Sequence, residues 1–156
     1  MNTSSQALSV FAQIATGFCS WCEGPSLGPD PIKTASSWLC QLHEAALSLE
    51  EWEGEEESVP DVPPDQMANA AKNLGYFANW YYRKVFDPDP KLIEPEEPVV
   101  AEIRDDLQDI FRDVKSGLIA YELGYPQEAA WRWAFSHQSH WGRHAVSAIS
   151  ALHCLS

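Results

Sequence analysis

At 156 residues, 45% of them hydrophobic and 12% aromatic, the chain is one domain in size, with material for a core and no sign of global disorder. Its 23 Asp+Glu against 10 Lys+Arg leave a formal charge of −13, which repels phosphate backbones and anionic lipid surfaces. No basic stripe counters that balance and no run of about 20 apolar residues is present, so nucleic acid and membrane are excluded as partners.

The N-terminus, MNTSSQALSVFAQIATGF, has neither a basic leader nor a long apolar run, and so is not a signal peptide. It begins the first helical segment, about residues 5–22, where Phe11, Ala15, Phe18 and Cys22 are spaced 4-3-4 and Gly24-Pro25 ends the pattern. The second starts at Pro31 behind Asp30, an N-cap followed by proline at the first helical position. Its stripe is Ile32, Ala35, Leu39, Leu42, Ala46 and Leu49. An acidic, proline-bearing connector, about 50–64, reads as a solvated loop because like charges repel and cannot pack.

The third segment is expected over about 64–85, with Met67, Ala71, Leu74, Ala78, Tyr81 and Val85 on one face. Repeated proline in a second loop, about 87–98, forbids helix interior. The fourth segment begins near Glu96 and ends at Gly124, a natural C′ residue. Tyr125-Pro126 leaves almost no loop before the fifth, which runs to the end, so the last two segments must be antiparallel neighbours. No strand alternation stands out. The expectation is a single all-α domain over residues 1–156, a bundle of about five helices closed by an antiparallel hairpin.

Three constellations carry possible chemistry. On the fourth segment Asp105, Asp106, Asp109 and Asp113 fall on one flank beside the stripe Ile103, Leu107, Ile110, Val114 and Leu118. Carboxylates at such spacings chelate Mg²⁺ or Mn²⁺, but they also make an ordinary solvated acidic flank. On the fifth, His137, His140 and His144 share a ridge with Trp133. Folding the hairpin about Gly124 puts Asp113 level with His137, Asp109 with His140 and Asp106 with His144. Either a metal lies between carboxylate and imidazole, or each histidine pairs with an aspartate. Third, Cys19-x-x-Cys22 and Cys40-x-x-His43 have zinc-like spacing, yet lie within helical stripes where cysteine serves as a small hydrophobe. The four cysteines, Cys19, Cys22, Cys40 and Cys154, fit a reducing compartment.

From Ala101 onward, Ile103, Asp105, Asp106, Leu107, Asp109, Ile110, Asp113, Gly117, Leu118 and Gly124 lead into Trp131-x-Trp133-x-Phe135-Ser136 and Trp141-Gly142. With Tyr82 and Val85-Phe86-Asp87-Pro88 upstream, this resembles the bacterial family called domain of unknown function 5063. The resemblance implies a compact all-helical bacterial protein and carries over no catalytic residue. The three histidines lie outside the pattern.

The expected function is therefore a non-enzymatic interaction or scaffold module in the cytoplasm. It would present Trp131, Trp133 and Trp141 to an unidentified protein partner and need no cofactor. A homodimer stays open. The alternative is a divalent-metal-dependent hydrolase acting on a phosphate or diphosphate. Asp105, Asp106, Asp109 and Asp113 would hold Mg²⁺ or Mn²⁺, with Zn²⁺ behind them, and His140 or His144 would serve as ligand or base.

Overall fold

A computed structural model describes residues 3–50, 53–54, 58–91 and 94–155. Helix α1 (Thr3–Glu23) buries Phe11, Ala15, Phe18 and Cys22, as their spacing predicts. Helix α2 (Pro31–Leu47) opens on Asp30, whose carboxylate accepts the Lys33 amide at 3.2 Å, and buries Ala35, Leu39, Leu42 and Ala46. The connector that follows does not behave wholly as a solvated loop. Val59 and Val62 pack on the core and Gly54 lies against the Trp131 ring. The expectation of a loop at Glu51, Trp52, Glu55, Glu56 and Glu57, and at Leu92 and Ile93 further on, lies outside the described residues.

The third segment is shorter than its periodicity suggests. Helix α3 (Pro64–Asn73) runs into a 3-10 turn (Leu74–Phe77), and the buried positions are Ala70, Leu74 and Phe77 rather than Ala71, Tyr81 and Val85. Asn79 then adopts φ 67°, a left-handed conformation that asparagine tolerates and that no helix continues through. The chain proceeds as strand β1 (Tyr81–Lys84), paired antiparallel with β2 (Val99–Glu102), Tyr82 opposite Ala101. This small ribbon takes up the end of the expected third helix and the start of the fourth.

Helix α4 (Ile103–Glu122) is the axis of the molecule and packs against α1, α3, α5 and α6. Gly124, at φ 91°, ends it as anticipated. The Tyr125 amide donates to the Ala120 carbonyl and the Gly124 amide to that of Tyr121, the paired bonds of a Schellman cap. Helix α5 (Pro126–Ser136) returns beside α4. It continues through one widened π turn (His137–Trp141) into α6 (Gly142–Leu155), so the expected fifth helix is a single rod with a bulge. One core cluster joins all the helices. The fold is mostly α, and among the described residues no helix is long and apolar enough to cross a membrane.

Candidate metal centre

The α4–α6 face assembles most of the aspartates and histidines that the sequence singles out. His144 Nδ1–H donates to Asp106 Oδ1 at 2.7 Å, the pairing expected from the hairpin register. His140 Nδ1–H donates to Asp113 Oδ2 at 2.6 Å, so Asp113 takes His140 and not His137. Asp109 stands between them, its Oδ2 3.5 Å from His144 Nε2 and its Oδ1 3.3 Å from the Arg112 guanidinium. His137 and His140 both lie in the π turn. His137, the first residue of the turn, faces α2, where its Nε2 meets His43 Nδ1 at 3.0 Å.

Asp106 is almost fully buried and is held from a second side by the Tyr82 hydroxyl, which donates to its Oδ2. Burial and that bond push the Tyr82 phenol well above its ordinary range, so it stays a donor. The sequence gives no role to Tyr82, because only the ribbon brings it over α4. Its place in the family pattern is the one signal that marks it out.

Protonation follows from this geometry. An ionised carboxylate only accepts, so both Nδ1 atoms carry hydrogen and, in the neutral rings, both Nε2 atoms carry lone pairs. Among the described residues, Asp109, His140 and His144 form a metal-capable group, one ligand atom from each lying within 4.8 Å of the others. Asp106 and Asp113 then stand behind the imidazoles as the carboxylates that orient metal-binding histidines. Asp105 takes no part. It is exposed on the outer side of α4, where partial desolvation and then the Glu102 carboxylate raise its pKa.

The remaining candidates are placed as follows. Trp133 and Trp141 are fully buried, their indole N–H groups donating to Val114 and Trp133 carbonyls at 2.9 and 3.2 Å, so neither can present a binding surface. Of these three, Trp131 alone reaches solvent, stacked on the exposed Phe135 with centroids 5.2 Å apart. Cys19 and Cys22 are buried in the core, which pushes both thiols far up, while Cys40 is exposed and His43 is engaged with His137. The four do not converge as a zinc set.

The solved structure of protein BF1032 from Bacteroides fragilis is similar over 97% of this chain and 92% of that one, with a TM-score of 0.77. At 20% identity this is a likeness of fold alone. No curated protein matches the chain. The family model described as "Domain of unknown function (DUF5063)" matches residues 2–156, and the chain belongs to that family.

Proposed function

We propose that the protein binds one divalent transition-metal ion through Asp109, His140 and His144, and that this ion activates water to hydrolyse a phosphate ester or diphosphate. One observation carries the reading. His144 Nε2, its Nδ1–H already committed to Asp106, faces the Asp109 carboxylate at 3.5 Å. In the neutral ring a lone pair and an anionic oxygen would repel each other at that distance, and either a metal ion between them or a proton on Nε2 removes the repulsion. Two ligands bound tetrahedrally to Zn²⁺ lie about 3.3 Å apart, so the gap suits a metal.

Two imidazoles and one carboxylate favour Zn²⁺ or Fe²⁺ over Mg²⁺, which seeks oxygen ligands. This departs from the Mg²⁺ or Mn²⁺ that the aspartates alone suggest. Three protein ligands leave coordination positions for water and substrate, and the His140 side chain is 43% exposed, so a substrate has access. Arg112, exposed beside Asp109, gives the centre a cationic edge for a phosphoryl group.

The test is a thermal melt of chelator-stripped protein with Zn²⁺, Mn²⁺ or Mg²⁺, followed by assays on p-nitrophenyl phosphate and nucleoside diphosphates. Zn²⁺ at about 100 times its Kd stabilises by about 2.7 kcal/mol, a rise of several degrees. That rise should vanish in Asp109→Asn and His140→Gln. If no ion shifts the melt, the gap is closed by a proton and the metal reading fails. Metal binding without turnover would remove the hydrolase and keep the centre.

A second reading, a non-enzymatic interaction module, draws on the exposed Trp131–Phe135 stack. It requires a complex that forms without metal and is lost in Trp131→Ala.

A further inference from the structure

On the α2 side of the π turn, His43 and His137 line a groove of about 530 Å³. Leu47, Leu49 and Val146 form apolar walls, and Arg143 stands on the rim, where among the described residues no carboxylate pairs with it. None of the described residues lining the groove is acidic, in a chain with 23 Asp+Glu. Glu44, beside His43 in sequence, lines a separate groove against α1. Among the described residues, the groove lining offers imidazole, guanidinium, amide and apolar groups and no carboxylate.

The histidine pair explains what the groove can hold. Two imidazoles meeting nitrogen to nitrogen at 3.0 Å share one hydrogen. In the neutral pair one outer nitrogen is a donor and the other a lone pair. Adding one proton makes His43 Nε2 and His137 Nδ1 both donors and turns the pair into a monocation. Burial, and then the neighbouring His43, lower the His137 pKa, which disfavours the charged form of its ring in the empty groove. Among the described residues lining the groove, the pair itself, His43 from α2 and His137 from the π turn, is joined by one charged group, Arg143 from α6.

We propose that this groove is a binding site for a small aliphatic monocarboxylate, taken up together with one proton. The carboxylate accepts from the protonated His43–His137 pair and from Arg143, while its alkyl chain lies along Leu47, Leu49 and Val146. No bond is made or broken; the added proton comes from solvent and stays on the imidazole pair. The site stands apart from the proposed metal centre and requires no metal.

The experiment is calorimetric titration of the chelator-stripped full chain with hexanoate, at pH 6.0 and 7.5, in two buffers of different ionisation heat. The expected result is uptake of close to one proton and a Kd about tenfold lower at pH 6.0. His43→Gln and Arg143→Gln should each weaken binding about tenfold or more, whereas Asp109→Asn should leave it unchanged. Arg143 is exposed, so its variant decides the matter even if His43→Gln fails to fold. The proposal is overturned if millimolar hexanoate does not bind, if affinity is equal at the two pH values, or if Arg143→Gln binds like the native chain. Inorganic phosphate bound as tightly as hexanoate would also overturn it, since the apolar walls would then contribute nothing.

Discussion

Among the glycines, Gly117 has the tightest fit, against the Trp133 indole. A Cβ on residue 117 would stand 2.2 Å from Trp133 Nε1, inside a ring that is fully buried and hydrogen-bonded to Val114. Phe11 packs on the same indole with centroids 4.6 Å apart, so the ring has nowhere to retreat. Gly117→Ala should therefore destabilise the protein by about 2–3 kcal/mol, the overpacking cost and lost hydrogen bond outweighing about 1 kcal/mol of gained helix propensity. Urea unfolding followed by tryptophan fluorescence measures this, and Trp133→Phe in the same chain should recover part of the loss. At this scale the sequence is legible where a side chain serves one helix stripe. Phe11, Phe18, Leu39 and Leu42 are buried as their spacing demands. It is illegible where two distant elements meet: nothing in the spacing of Trp133 says that its indole N–H finds Val114, or that His137 finds His43.

The π turn illustrates the same limit for an element. Hydrophobic period extends the fifth segment as one helix, and the faces of α5 and α6 do keep that period, since Trp133, Trp141, Ala145 and Ala148 are all buried. One added residue per turn leaves the apolar pattern nearly intact, so hydropathy cannot reveal it, but it redirects the polar side chains. Asp106–His144 follows the simple hairpin register, whereas Asp113 pairs with His140, which lies inside the turn. The ribbon was hidden for a different reason: Tyr81, Ala78 and Val85 happen to continue a helical spacing that Asn79 breaks locally. Gly142 is what lets the π turn close. Its amide donates to the His137 carbonyl, and a Cβ there would lie 2.3 Å from that same oxygen. Since Gly142 has helical φ of −61°, alanine would meet only the steric objection. Gly142→Ala should cost about 1–3 kcal/mol and shrink the Zn²⁺-induced rise in melting temperature, because His140 lies within the turn that must open. A variant that is destabilised but keeps the full Zn²⁺ response would show that the turn does not set the ligand geometry.

Charge acts on the molecule as a whole and must be separated from specific metal binding. A formal charge of −13 on 156 residues means self-repulsion that the folded state concentrates, and added salt screens it with a Debye length of about 8 Å at 0.15 M. Sodium chloride should accordingly raise the melting temperature between low and physiological ionic strength, by a similar amount in the native chain and in Asp109→Asn. Any divalent cation does some of this without a site. A bound ion behaves differently: at matched ionic strength Zn²⁺ should add a further rise in the native chain, saturate at stoichiometric concentrations, and add nothing in Asp109→Asn. Mg²⁺ should track the monovalent salt in both, because two of the three ligands are imidazoles. If Mg²⁺ and Zn²⁺ stabilise equally and Asp109→Asn responds to both, the effect is diffuse screening of an acidic surface, and the convergence of Asp109, His140 and His144 is a network of paired side chains that needs no metal.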